Sequence, residues 1–240
     1  LNKRLGGQGF CEIDPADFFP LSGVAIENNL IQFPESKFYA CPDRDLALFI
    51  SPSPVFEWYD FLNLVLDIAE RDCHVREIYT IGGMMFLGAH TMPRRLLGVF
   101  SSEEHKDTLS RYNIGGNWDY ETSPGQRPTL SSFLLWMARK RGITATNLWV
   151  PIPFYLATAD DPKARKMVLE FLDQRLNLRI DFSDLDEEIV SQNRRLARFR
   201  TRFPEIDGSL KRLESNMSLS EEESRRLVIE VERFLSGEDG

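Results

Sequence analysis

Cysteine and histidine are scarce in this chain of 240 residues, which contains three of each. No two cysteines form a Cys-x-x-Cys pair, so the sequence excludes a disulfide scaffold and a four-thiolate zinc site. The histidines lack His-x-x-His and His-Glu-x-x-His spacing, and we therefore expect no metal site. No stretch of about 18 apolar residues occurs, so the sequence predicts no membrane-spanning helix.

The composition is that of a folded globular protein, with 42% hydrophobic and 28% charged residues. The formal net charge of −8 argues against nonspecific binding of nucleic acid. The first residues contain no apolar core of a secretory signal, and we expect a soluble, cytoplasmic protein. The segment from Leu1 to Gly7 indicates the end of a helix terminated by glycine. We expect a further strand upstream of this chain.

Strand and helix signals alternate through about residue 182. Strands are predicted near residues 46–50, 77–81, 95–101 and 146–150. Helices are predicted over 55–71, with Ser53 as N-cap, over 130–141, and from Pro162 onward. Apolar residues cover most of the circumference of the helix at 55–71, which predicts burial on both sides. The alternation predicts a three-layer α/β/α sandwich with a mostly parallel sheet.

After residue 182 the strand signals stop, and charged helices are predicted near 185–200 and 220–235. Ser220 and Glu223 form a capping box, and a stripe containing Leu227, Val231 and Phe234 follows it. We therefore predict a core domain at 1–182 and a helical tail at 183–240. The stripe is a candidate interface with the core domain or with a neighbouring subunit.

The predicted strand at 77–81 leads into Gly82-Gly83. Ligands in open α/β sheets bind beyond the carboxyl ends of strands. The spacing from Gly83 to Gly88 matches a phosphate loop, but Ala89-His90 replaces the required Lys-Ser/Thr, which excludes a nucleotide-phosphate loop. Two glycines that simply allow a sharp turn are the alternative interpretation.

A small-anion site is the functional hypothesis for this region, because an imidazole and two guanidinium groups follow the glycines. Ordinary ion pairs with surface carboxylates are the alternative. The candidate ligand-binding residues are Thr80, Gly82, Gly83, His90, Arg94, Asn113 and Tyr155.

Nothing in the sequence forms a convincing nucleophile and base. Cys73 and His74 are adjacent, so their side chains point in different directions, and no Gly-x-Ser-x-Gly elbow occurs. We predict no catalytic residue and no cofactor. Trp118 and Tyr120, in the turn-rich segment 113–129, are candidate interface residues, and a lid folded on its own domain is the alternative.

Five arginines between Arg194 and Arg202 form a local basic cluster. Contact with nucleic acid is one interpretation. The acidic residues from Asp184 to Glu188 precede the cluster on the same predicted helix, and this pattern favours a solvated helix whose charges are interlaced.

Several blocks, in this order, resemble the proteasome assembly chaperone 2 family, over roughly residues 10–200. They are Gly82-Gly83, Ala89-His90-Thr91-Met92-Pro93-Arg94, Pro128-Thr129, Gly142-Ile143-Thr144-Ala145, Pro151-Ile152-Pro153-Phe154-Tyr155 and Asp161-Pro162-Lys163-Ala164. The pattern is closest to the bacterial branch, which carries a helical tail. Some catalogues place the family in the ATP-grasp superfamily, but no glycine-rich lid with a paired lysine supports that label here.

The resemblance implies a phosphorylase/hydrolase-like α/β fold and a homo-oligomer. It also implies a non-catalytic role, because archaeal and eukaryotic members are chaperones of proteasome assembly. We therefore expect an oligomeric binding protein with a possible protein partner. The alternative is a hydrolase or phosphorylase-like enzyme that acts on a small anionic substrate at the strand ends.

Overall fold

The computed structural model describes residues 1–20, 25–116, 119 and 121–237. Its strands are β1 (Gln8–Ile13), β2 (Ala25–Glu27), β3 (Leu30–Gln32), β4 (Ser36–Cys41), β5 (Leu46–Ile50), β6 (Glu77–Phe86), β7 (Leu97–Phe100) and β8 (Thr144–Pro153). Its helices are α1 (Asn2–Leu5), α2 (Trp58–Arg71), α3 (Glu103–Leu109), α4 (Leu130–Lys140), α5 (Pro162–Leu176), α6 (Ser183–Arg202), α7 (Pro204–Glu214) and α8 (Glu221–Ser236). No helix of this described part is long and apolar enough to cross a membrane.

The strands form three sheets. The first is antiparallel with the order β1-β4-β5, and β1 has a bulge between Gly9 and Cys11. Strands β2 and β3 form an antiparallel pair, and the third sheet has the order β6-β8-β7. The mixed α/β class predicted from the sequence is confirmed.

The chain divides into two compact units. Unit 1 comprises Leu1–Thr80, Val99–Thr108 and Asn117–Asn147. Unit 2 comprises Ile81–Gly98, Leu109–Gly116 and Leu148–Gly240. The predicted boundary at residue 182 is not a boundary between these units. Helices α6 to α8 belong to the same unit as the part of β8 from Leu148 onward.

Unit 1 has a core rich in aromatic side chains. The Phe61 ring of α2 lies 5.1 Å from that of Phe18, between ring centroids. Helices α2 and α4 pack on each other, and Arg141 at the end of α4 donates to Asp67 at 2.6 Å and to Asn63 Oδ1 at 2.7 Å. These bonds satisfy the guanidinium where α4 ends, so α2 and α4 are held together at that end.

Helix α2 corrects two expectations. It begins at Trp58 rather than at residue 55, because the residue before it has a left-handed backbone conformation; the N–H groups of Val55 and Phe56 donate to the Phe18 carbonyl. The residue before it, Glu57, adopts φ +45°. The helix is also buried on one side, since Tyr59 is 56% exposed while Phe61 and Leu66 are at most 1% exposed.

Unit 2 has a second core, to which all three tail helices contribute. Tyr155 and Leu156 pack with Phe199 of α6, Leu210 of α7 and Leu227 of α8. The capping box of Ser220 and Glu223 at the start of α8 is confirmed. The tail therefore folds onto the segment that follows β8. Helix α7, which begins at Pro204, was not predicted.

Candidate functional site

The Gly82-Gly83 pair lies inside strand β6, which continues to Phe86, so the predicted turn at this position is wrong. Neither glycine adopts a positive φ. A Cβ atom at Gly82 would lie 2.9 Å from Trp149 Cζ3, and one at Gly83 would lie 3.0 Å from Ile152 Cδ1. The Trp149 ring of β8 therefore accounts for glycine at position 82, where the chain does not turn, whereas at Gly83 the close atom is the flexible end of Ile152.

His90 follows β6 and is held by Tyr155. The backbone N–H of His90 donates to the Tyr155 hydroxyl at 2.6 Å, and His90 Nδ1 lies 2.8 Å from the same oxygen. Because that hydroxyl already accepts the backbone N–H, its single proton is available for Nδ1. When the hydroxyl donates this proton to Nδ1, the imidazole proton lies on Nε2.

Burial keeps the His90 imidazole neutral. It lowers the pKa of His90 to about 4, and the positive charges of Arg200, Arg94 and Lys163 act in the same direction, against Glu214. Burial also raises the pKa of Tyr155, which is 1% exposed. At neutral pH the pair is therefore a hydrogen-bonded, uncharged contact.

Arg94 and Asp161 form a buried ion pair. Arg94 Nη1 lies 2.5 Å from Asp161 Oδ2 and donates to the Pro151 carbonyl at 2.9 Å, and Nη2 lies 3.3 Å from Asp161 Oδ1. The two side chains are 1% and 3% exposed. Asp161 also accepts the N–H of Ala164 and so caps α5. The guanidinium predicted to receive an external anion already has an internal carboxylate.

The tail helices form hydrogen bonds with the segment from Ala89 to Arg94 and with one another. Thr91 donates to Glu214 Oε1 at 2.9 Å, and Arg200 donates to the same carboxylate at 2.6 Å. Arg200 also bonds Asp207 at 2.5 Å. The hydrogen bond from Arg200 lowers the pKa of Glu214, so this carboxylate stays charged at neutral pH. The block from Ala89 to Arg94 is thus tied to α5, α6 and α7.

The structure brings together some of the predicted ligand residues and not others. His90, Arg94 and Tyr155 lie in one cluster of unit 2. Thr80 belongs to unit 1, where its hydroxyl donates to Asn147 Oδ1 at 2.9 Å. Asn113 ends a short 3-10 turn with φ +57°. The cluster also contains four residues that were not among the predicted ligand-binding residues: Asp161, Lys163, Arg200 and Glu214.

The predicted interface residues have three different outcomes. Trp118 and Tyr120 lie outside the described residues. Leu227 and Val231 are 0% and 1% exposed, and their stripe packs into the core of unit 2 with Tyr155 and Leu156, so the structure shows the contact within the chain rather than one with a neighbouring subunit. Phe234 is half-buried, with its ring centroid 5.1 Å from that of Phe199.

Unit 1 carries an exposed aromatic surface that the sequence did not indicate. Its rings are Phe56, Tyr59 and Trp136, which are 47% to 56% exposed, together with half-buried Phe133. Phe133 stacks on Trp136 with centroids 5.5 Å apart, and Lys140 Nζ lies 3.8 Å from the Trp136 centroid. We call this surface the aromatic groove. Part of it is a depression of about 520 Å³.

The fold of the chain is similar to that of several solved structures. It has a TM-score of 0.69 and 18% identity to a proteasome-assembly chaperone homologue, Rv2125, of Mycobacterium tuberculosis, covering 82% of this chain and 84% of that one. A PAC2 family protein from Streptomyces avermitilis gives 0.66 and 20%, covering 82% and 85%. Pyrococcus furiosus PbaB, an archaeal proteasome activator, gives 0.62 and 22%, covering 82% and 84%.

The PAC2 family profile matches residues 1–199. The chain therefore belongs to the PAC2 family, and the resemblance noted in the sequence is confirmed. Nothing in the comparisons supports the ATP-grasp label. No curated protein matches the chain.

Proposed function

We propose that this protein is a non-enzymatic, homo-oligomeric binding protein that acts in protein assembly. Family membership supports the proposal, because structural relatives include a proteasome-assembly chaperone homologue and an archaeal proteasome activator. The aromatic groove is the observation that carries it. Aromatic side chains are enriched at the centres of protein interfaces, where they contribute most of the binding energy.

The rings of the aromatic groove contact one another, and a continuous aromatic surface binds a protein partner better than one isolated exposed ring does. Tyr59 and Phe133 have ring centroids 6.5 Å apart, and Phe133 and Trp136 stack with planes 20° apart. The rings therefore form one continuous apolar face. Large exposed apolar faces of this kind mark interaction sites in soluble proteins.

The enzymatic alternative stays a prediction, and the cluster around His90 weighs against it. An anion site built on Arg94 and His90 requires that a positive charge of these side chains be available to the substrate. Asp161 balances Arg94 within the chain, and the His90 imidazole is uncharged at neutral pH. No observation favours a reaction at this position.

Measurement of the mass in solution tests the proposal. Sedimentation equilibrium from about 1 to about 100 µM should give a multiple of the 27.7 kDa chain mass. Phe56→Ser with Trp136→Ser should shift the mass toward 27.7 kDa, since both rings are about half exposed. The control pair Met217→Ser with Ile229→Ser removes side chains of similar exposure and should leave the mass unchanged.

Two outcomes would contradict the proposal. One is a wild-type protein that sediments as a monomer over the whole concentration range. The other is an equal loss of mass in the aromatic and control variants. Circular dichroism of each variant establishes that the fold is retained.

A further inference from the structure

The acidic half of α6 is paired with α5 and not with the arginines that follow it on α6. Asp186 lies 2.5 Å from Lys166 Nζ, and Glu188 pairs with Arg165. These two acids of α6 therefore pair with cations of another helix and not with the arginines of α6. The reason is tertiary: α5 packs against α6 and presents its own cations to these acids.

Four of the five arginines of α6 divide into two groups. Arg200 is bonded to Asp207 and Glu214, and Arg195 donates to the Leu235 carbonyl at 2.5 Å. Arg194 and Arg198 are exposed, and within the described part of the chain neither forms an ion pair. They are four residues apart, so they lie on the same side of the helix. Two exposed guanidinium groups on this side of the helix therefore have neither a carboxylate nor a carbonyl partner among the described residues.

A groove lies beside Arg198, and Arg194 is one helical turn before it. The groove has a volume of about 580 Å³ and is lined by Ala197, Arg198, Thr201, Arg202 and Phe234. The ring of Phe234 packs on Phe199 and gives the groove an apolar part. From residue 194 to residue 202 the helix rises about 12 Å, which is the length of about four extended residues.

We propose that this groove, the arginine groove, binds a short acidic segment of a partner protein. Carboxylates of the segment pair with Arg194 and Arg198, and an apolar side chain contacts Phe234. Charge complementarity identifies the occupant, because two unbalanced guanidinium groups favour carboxylates. The proposal goes beyond the function proposed above and does not depend on it, since it concerns another surface and holds for a monomer or an oligomer.

A protein segment fits these observations better than a nucleic acid does. A nucleic acid backbone requires a continuous track of cations, and acidic residues precede this short stretch along the same helix. A segment with a few carboxylates and one apolar side chain uses both properties of the groove.

Fluorescence anisotropy with a labelled pentapeptide, Glu-Glu-Phe-Glu-Glu, tests the proposal on the full chain. Binding should weaken about tenfold in Arg194→Gln with Arg198→Gln, as expected for the loss of two exposed charge contacts. It should also weaken between about 50 and about 500 mM NaCl because salt screens exposed charges. Arg225→Gln with Arg226→Gln, on exposed arginines of α8, changes the net charge equally and should have little effect.

Substitutions at Thr201 give a second test with opposite signs. Its hydroxyl bonds the Ala197 carbonyl of its own helix, so its replacement leaves the packing of α6 intact. Thr201→Glu should weaken binding and Thr201→Lys should strengthen it. A purely structural effect would move both variants in the same direction.

Several results would overturn the proposal. The first is that the pentapeptide does not bind with a Kd below about 1 mM. The second is that Gln-Gln-Phe-Gln-Gln binds equally well. The third is that the α6 and α8 double variants lose the same amount of affinity. Tighter binding of a short oligothymidine than of the acidic pentapeptide would also overturn it, in favour of a nucleic acid partner.

Discussion

Replacement of Arg94 should destabilise the fold itself. Its guanidinium and the Asp161 carboxylate are 1% and 3% exposed and lie 2.5 Å apart at their closest atoms. Removing one member of a buried ion pair leaves the other charge without its partner, which costs about 3–5 kcal/mol. Because a typical domain is stable by only about 5–15 kcal/mol, Arg94→Met should lose a large part of the unfolding free energy.

A double-mutant cycle isolates the contribution of the pair. Arg94→Met keeps the apolar stem, and Asp161→Asn keeps an oxygen that can accept the Ala164 N–H. Each single variant should lose about 3–5 kcal/mol in urea unfolding, and the double variant should lose less than the sum by about 2 kcal/mol or more. The exposed pair of Arg165 and Asp160 is the matched control, where the loss should stay below about 1 kcal/mol.

The refuting result is specific. If Arg94→Met lowers the unfolding free energy by less than about 1 kcal/mol, as an exposed pair would, and abolishes binding of phosphate or acetate, Arg94 serves a ligand. The interpretation of this pair as an internal brace would then be wrong.

Three further predictions concern single positions. The pKa of His90 is lowered from 6.5 to about 4, so protonation of the imidazole favours the unfolded chain. The free energy of unfolding should therefore fall by up to about 3 kcal/mol as the pH drops from 6.5 to 4. His90→Asn should reduce this pH dependence, measured by urea unfolding. Gly82→Ala places Cβ 2.9 Å from Trp149 and should lower the unfolding free energy by about 1–3 kcal/mol, whereas Gly208→Ala, with open space in α7, should raise it by about 0.5–1 kcal/mol. Glu57→Gly should raise it by about 1 kcal/mol because φ is +45°, while Glu57→Ala keeps the strain and should not.

Local signals in the sequence were sufficient for the elements whose ends are capped by neighbouring residues. The helix after Asp161 begins where the Asp-Pro pair indicated, and Gly142 follows α4 with φ +74°. Caps depend on side chains within three or four residues, so a single sequence contains them. The start of α2 was missed because its preceding turn is bonded to the Phe18 carbonyl, far away in the sequence.

The candidate site could be predicted only in part, since its bonds join distant segments. Tyr155 is 65 residues from His90, and Asp161 is 67 residues from Arg94. The blocks of family resemblance contained all four residues but gave no indication that they pair with one another. Gly82 shows the same difficulty, because its requirement comes from a Trp149 side chain on another strand. Periodicity and capping describe one segment at a time and do not reveal such partners.

The state of the His90 ring tests the central claim most directly, namely that the block from Ala89 to Arg94 braces the fold and does not bind a substrate. The chain has three histidines, so their ring signals can be resolved by nitrogen-15 NMR. We predict that His90 stays neutral, with its proton on Nε2, from about pH 7 to about pH 5 and does not respond to millimolar phosphate. A His90 pKa near the ordinary 6.5, with a shift on addition of phosphate, would contradict the claim.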